Sequence, residues 1–219
     1  MQLYYITDRR AFAGDETARR RRLLEKIAEA VRAGVDYIQL REKDLSARQL
    51  EELAREAIQT IGQTQRDTRN SGLRTRLLIN SRTDVALSAG ADGVHLRGDD
   101  ISPLEVRAIL ASVPAPQPDL IVSVACHSAA DVRRAASDGA TLAILAPVFG
   151  KPGSTEVVGL DALSRAAKWP VPVFALGGVT LANAHSCREA GAAGIAAIRL
   201  FQENEIAAVA RKVRTSSTS

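Results

Sequence analysis

The sequence is poor in aromatic residues, in cysteine and in long apolar runs. Aromatics make up only 4% of its 219 residues, with one Trp and one Met. Platforms that stack nucleic-acid bases interleave aromatic with basic residues, and no such pattern occurs here. The densest basic run, Arg19-Arg20-Arg21-Arg22, reads instead as the solvated start of a helix. Two cysteines, Cys126 and Cys187, make no disulfide framework, so a reducing cytoplasm is the expected compartment. No apolar stretch approaches the roughly 20 residues of a membrane span. The opening Met1-Gln2-Leu3-Tyr4-Tyr5-Ile6-Thr7 has a strand-like pattern and not the layout of a signal peptide. With a net charge of only +4, neither nucleic acid nor a membrane is an expected partner. The sequence leaves a homo-oligomer open.

What the chain does have is Ala, Leu and Val, a mix suited to helices packed on a parallel sheet. Short apolar runs at 2–7, 35–41, 76–80, 93–97, 120–126, 142–148, 171–176 and 194–199 read as strands. Helical patterns lie between them, near 17–33, 47–62, 82–89, 103–112, 129–138, 160–168, 181–190 and 203–213. Gly34, Gly90, Gly139 and Gly191 stand where helices should close. The phrases Ala89-Gly90-Ala91-Asp92-Gly93, Asp138-Gly139-Ala140 and Ala190-Gly191-Ala192-Ala193-Gly194 repeat the same helix-to-strand turn. Eight strand–helix units predict an α/β (β/α)8 TIM barrel, one domain over 1–214 with a flexible tail at 215–219. An open doubly wound sheet is the competing architecture, but no G-x-G-x-x-G follows the first strand. The polar, Arg-rich stretch 65–75 reads as an insertion between the second helix and the third strand.

In such a barrel the chemistry sits at the C-terminal ends of the strands. Strand 2 runs into Gln39-Leu40-Arg41-Glu42-Lys43, which puts Gln39, Arg41 and Lys43 on one side if the strand stays extended. Two cations and an amide on one face suit a diphosphate, and a salt-bridged loop cluster is the alternative. Asn80, ending strand 3, suits either a heterocycle contact or a helix cap. His95 on strand 4 is either a satisfied core residue or a functional one. Asp99 or Asp100 could give Mg2+ an oxygen ligand or cap the next helix. His127, at the end of strand 5, suits acid–base work near neutral pH. Ser128 beside it has the spacing of a helix cap, and Cys126 reads as a small buried apolar group. After strand 6, Gly150-Lys151-Pro152-Gly153-Ser154-Thr155 forms a loop that could close over phosphate. Gly177 and Gly178 after strand 7, and Ile198-Arg199 ending strand 8, match the phosphate pocket common in this fold. Two anion sites suggest joining or rearranging phosphorylated small molecules.

Those motifs, with Tyr5-Ile6-Thr7-Asp8, Ala91-Asp92-Gly93-Val94-His95-Leu96, Pro147-Val148-Phe149 and Ala175-Leu176-Gly177-Gly178-Val179, resemble the thiamin phosphate synthase/TenI family over nearly the whole chain. The resemblance implies an enzyme of thiamin biosynthesis, a transferase. It would join hydroxymethylpyrimidine diphosphate to thiazole phosphate and release pyrophosphate, with Mg2+ as cofactor. The pyrimidine would leave as a stabilised cation before the thiazole nitrogen attacks. Carried over, Gln39, Arg41 and Lys43 hold the diphosphate, and Asn80 contacts the pyrimidine. Asp100 ligates Mg2+, and Gly178 and Ile198 line the thiazole phosphate pocket. Three positions depart from the synthase pattern. Ser81 stands where an Asp metal ligand is usual, Ala125-Cys126-His127 replaces Ser-Ala-His, and the Gly150–Ser154 loop replaces a hydroxyl-rich pyrophosphate clamp. The sister branch, the TenI-type thiazole tautomerase, uses no clamp or metal and would take His127 as its proton shuttle, followed by Ser128. A catalytically inactive, ligand-sensing barrel is the third reading.

Overall fold

The computed structural model describes residues 1–68, 74–112, 119–150 and 157–215. Its strands are β1 (Gln2–Ile6), β2 (Tyr37–Leu40), β3 (Arg76–Asn80), β4 (Gly93–Leu96), β5 (Ile121–Cys126), β6 (Leu142–Leu145), β7 (Val173–Ala175) and β8 (Gly194–Ala197). They follow one another in sequence order as a closed parallel barrel, as the alternation of short apolar runs and helical patterns predicts. The helices are α1 (Glu16–Arg32), α2 (Ala47–Asp67), α3 (Thr83–Ala89), α4 (Pro103–Ser112), α5 (Ala129–Ser137), α6 (Gly159–Ala166), α7 (Ala184–Glu189), α8 (Arg199–Gln202) and α9 (Ile206–Thr215).

Several predicted boundaries are corrected. β2 stops at Leu40, and Lys43 lies in a turn, so strand alternation does not carry Arg41 and Lys43. β6 ends before Pro147, which has no N–H to continue a ladder. β8 ends at Ala197, and Arg199 opens the short helix α8 instead of closing the strand. The last helical pattern, 203–213, is α9 alone, and α8 precedes it where the strand was predicted to end. α2 runs on to Asp67, into the stretch predicted as an insertion, of which 69–73 lie outside the described residues. The tail residues 216–219 lie outside them too.

The chain forms two compact units, one of Met1–Gln2 with Gly93–Ala196, the other of Leu3–Asp92 with Ala197–Ser219. In the first, β4 to β8 pair in order, and Val94, Val122, Ile144, Phe174 and Ile195 are almost wholly buried. In the second, β1, β2 and β3 pair in order and α1 packs on α2, with Tyr4, Leu23, Ile38, Leu53 and Leu78 buried. A side chain just ahead of a strand sets the register in both. Asp36 accepts from Leu3 N–H at 2.8 Å, Asp92 from Leu77 N–H at 2.9 Å, and Thr141 from Val122 N–H at 3.0 Å. Each gives a strand-start amide the acceptor it would otherwise lack. The four glycines expected to close helices all have positive φ. Among the described residues no helix is long and apolar enough to cross a membrane.

Candidate functional site

In the unit of β1–β3, the end of β2 is held by a buried carboxylate. Glu42 accepts from Thr7 Oγ1 at 2.6 Å, from the Arg9 backbone N–H at 3.0 Å and from Arg9 Nη1 at 3.2 Å. Thr7 Oγ1 also accepts from Arg41 N–H at 3.0 Å. The Arg9 and Glu42 side chains are only 3% and 1% exposed, so the ion pair is dry. Arg9 bridges outward to Asp44 at 2.8 Å and Glu16 at 2.6 Å. Its hydrogen bonds with Asp44 and Glu16 hold the guanidinium charged, and the same bond holds the Asp44 carboxyl below its ordinary range. Burial pushes the Glu42 carboxyl up, against the hydrogen bonds that favour its anion. Glu42 therefore turns to Arg9, away from its sequence neighbours. The half-buried Arg41 and exposed Lys43 make no side-chain hydrogen bond or ion pair among the described residues. Two unengaged cations on a pinned loop are an anion-binding arrangement.

Gln39 sits deeper, 1% exposed. Its Oε1 accepts from Tyr4 OH at 3.2 Å, and its Nε2 donates to Asn80 Oδ1 at 2.8 Å. Asn80 Nδ2 donates to Ser81 Oγ at 3.1 Å. Asn80 caps no helix: α3 starts after Arg82 without a side-chain cap. Ser81 has φ 60°, the only positive-φ residue other than glycine among those described. Arg82 N–H bonds back to Asn80 C=O at 2.8 Å across it, a γ-turn of the strained kind.

In the unit of β4–β8, His95 is a buried, satisfied residue, its Nδ1 2.8 Å from Ser123 Oγ. Asp100 caps a turn and not a helix. Its Oδ2 accepts from Arg97 N–H at 2.7 Å and its Oδ1 lies 3.6 Å from the Arg97 guanidinium. Ser102 and Glu105 form the box that starts α4. Among the described residues no group of three or more His, Cys, Asp or Glu side chains could hold a metal. Mg2+ that binds with phosphates is commonly held by one or two carboxylates, substrate oxygens and water, and Asp100, whose two oxygens both face Arg97, is the predicted ligand in this unit.

His127 is exposed just past β5. Its Nδ1 lies 2.8 Å from the Ala146 carbonyl, which can only accept, so Nδ1 carries the proton and Nε2 is left to act as a base. Ser128 caps α5 through Asp131 N–H at 3.1 Å, as its spacing predicts. Burial pushes the Asp131 carboxyl up, but bonds from Ser128, the His127 N–H and Arg134 outweigh this and hold it low. Burial raises the Cys126 thiol to about 12, which leaves it a small apolar group. Asp100, Cys126, His127, Asp131 and Arg134 line a cavity of about 360 Å³. A larger cleft of about 590 Å³, between α1 and α2, holds none of the predicted site residues.

Past β7, Gly177 and Gly178 have φ 92° and 61°. A Cβ on Gly177 would lie 2.6 Å from Pro147 Cβ, and one on Gly178 2.7 Å from the Phe149 carbonyl. Only glycine fits either position. Their N–H groups meet no acceptor among the described residues, as an anion-binding turn requires. Ile198, half-buried, precedes α8, and Arg199 is exposed at its start. Lys151 lies outside the described residues.

The sequence reading missed the parts played by Tyr4, Thr7 and Arg9. A signal existed for Arg9: a carboxylate as enclosed as Glu42 needs a cation, and Arg41 and Lys43 were not the only ones at a strand end. No sequence signal singles out Tyr4.

A family model described as thiamine monophosphate synthase matches residues 3–201. A Geobacter sulfurreducens protein, provisionally named a thiamine-phosphate synthase, is 40% identical over 200 residues, 90% of this chain and 84% of its own. The thiamine-phosphate synthase of Roseiflexus castenholzii is 38% identical over 200 residues, covering 90% of this chain and 78% of that one. The solved thiamine phosphate pyrophosphorylase of Pyrococcus furiosus superposes with a TM-score of 0.76 at 26% identity, over 97% of this chain and 93% of its own. With the model matched from β1 into α8, and with relatives of this identity and coverage, the chain belongs to the thiamine monophosphate synthase family.

Proposed function

We propose that this protein is a transferase that joins hydroxymethylpyrimidine diphosphate to thiazole phosphate, forming thiamin phosphate and pyrophosphate. The observation that carries the reading is the pair of cations, Arg41 and Lys43, unengaged among the described residues on a loop pinned by Thr7, Arg9 and Glu42. Relatives named for this activity support it. As the bond to the pyrimidine breaks, negative charge builds on the departing pyrophosphate, and fixed cations stabilise it there most effectively. Arg41 and Lys43 take that role, while Asn80 reads the pyrimidine. We assign the thiazole phosphate to the Gly177 and Gly178 amides, and propose Ile198 and Arg199 as substrate-binding residues and Lys151 as a cation for the pyrophosphate. Asp100 would hold Mg2+, which when bound neutralises charge on the diphosphate oxygens. The setting we propose is cytoplasmic.

A second reading is favoured by His127, whose Nδ1 bond to the Ala146 carbonyl makes Nε2 the accepting nitrogen of the neutral ring. In it the protein is a thiazole tautomerase, with His127 moving the proton within one bound ligand. Purified protein given both phosphorylated substrates and Mg2+, and separately the non-aromatic thiazole carboxylate phosphate, separates the two. Thiamin phosphate formation lost in Arg41→Ala supports the transferase. Isomerisation lost in His127→Ala supports the tautomerase. Tight binding without turnover marks a ligand-sensing barrel.

A further inference from the structure

We propose that Tyr4 is a positioning residue, which through Gln39 sets the orientation of the Asn80 amide and so fixes how the site reads its pyrimidine. The ligand in this inference rests on the transferase reading, while the geometry stands without it. Tyr4 is 0% exposed, and its hydroxyl reaches Gln39 Oε1 at 3.2 Å. An amide whose oxygen is engaged on one side presents its nitrogen on the other, so Gln39 Nε2 donates to Asn80 Oδ1 at 2.8 Å. Asn80 Nδ2 then donates to Ser81 Oγ at 3.1 Å. Every bond in the series points from β1 toward the end of β3. The hydroxyls at the two ends can each donate or accept, but the phenol has the more acidic O–H and is the better donor, which favours this direction. The strained turn at Ser81 holds the far end: with φ at 60°, the hydroxyl stays within reach of the Asn80 nitrogen.

Counting what remains gives the consequence. Among the described residues, Asn80 keeps one N–H and one oxygen lone pair, and Ser81 keeps its O–H. An amide with one free donor and one free acceptor matches a heterocycle that carries an amino group beside a ring nitrogen, the pairing that amides make with adenine. Reversing the Asn80 amide would set donor against donor. Tyr4 touches no substrate; it acts by keeping that amide the right way round. Because Gln39 is 1% exposed, water cannot readily replace the phenol if it is removed.

The test is Tyr4→Phe, which keeps the ring and removes the hydroxyl. In ligand-free, 15N-labelled protein, the side-chain amide protons of Gln39 and Asn80 should exchange with solvent faster and shift together. In turnover, KM for the pyrimidine diphosphate should rise about three- to tenfold, as for the loss of one hydrogen bond, with KM for the thiazole phosphate unchanged. Ser81→Ala, at the other end of the series, should give the same selective rise. A thermal midpoint taken alongside separates unfolding from misorientation. Unchanged Gln39 and Asn80 signals, or an equal rise in both KM values, would overturn the proposal. If the wild-type protein couples nothing, the transferase reading fails and the amide signals alone decide the role of Tyr4.

Discussion

Arg9 Nη1 and Glu42 Oε2 lie 3.2 Å apart with both side chains almost wholly buried, and this contact turns Glu42 away from Arg41 and Lys43. Breaking a buried pair from one side leaves a charge without a partner. Arg9→Met should therefore lower stability by about 3–5 kcal/mol, read as a fall in thermal midpoint. The loss should depend on pH. Burial already raises the Glu42 carboxyl above its ordinary value of 4.5, and losing Arg9 raises it further. A raised folded-state value means stability that is present at low pH and lost as pH rises through that value. The deficit of Arg9→Met should thus widen from acid toward neutral pH. A deficit that is flat with pH would show that Glu42 does not stay ionised against Arg9.

Asp92 gives the amide of Leu77 its acceptor at the start of β3. Asp92→Ala should cost about 1–3 kcal/mol by leaving that N–H unsatisfied. Hydrogen exchange at Leu77 should accelerate before exchange at the centre of the strand. An unchanged Leu77 rate would mean that the register is held elsewhere.

Gly178→Ala places a methyl group 2.7 Å from the Phe149 carbonyl, at a φ that alanine resists. It should lower stability by about 1–2 kcal/mol from the left-handed backbone alone. It should also raise KM for the thiazole phosphate while leaving that for the pyrimidine diphosphate in place. Steady-state kinetics with each substrate varied in turn checks this.

Burial raises the thiols of Cys126 and Cys187 to about 12 and about 11. The thiolate is the reactive form. Both should resist alkylation by iodoacetamide at about pH 8 in the folded protein and react once it is denatured, since an unperturbed thiol ionises near that pH. Rapid labelling of native Cys126, seen by mass spectrometry, would contradict its reading as an apolar group.

Much of this was legible in the sequence, and for a physical reason. Strand and helix patterns are local, and glycines such as Gly90 and Gly139 mark turns that any sequence with this fold must make. The glycine pair at 177–178 was legible for the same reason. The β2 cluster was legible in composition but not in geometry. Alternation would have lined up Gln39, Arg41 and Lys43, yet the strand stops at Leu40 because Glu42 is drawn to Thr7 and Arg9, 35 and 33 residues away in the chain. Pairing across that distance has no sequence period. The same holds for Gln39, whose amide is engaged by Tyr4 and Asn80.

The central claim is tested most directly by product formation. Wild-type protein with hydroxymethylpyrimidine diphosphate, thiazole phosphate and Mg2+ should yield thiamin phosphate and pyrophosphate in equal amounts, measured by mass spectrometry and a pyrophosphate assay. Arg41→Ala should retain its fold and lose about a hundredfold or more in kcat, the scale set by removing one group that stabilises transition-state charge. No thiamin phosphate from the wild type, with the thiazole carboxylate phosphate isomerised instead and that activity lost in His127→Ala, would contradict the account.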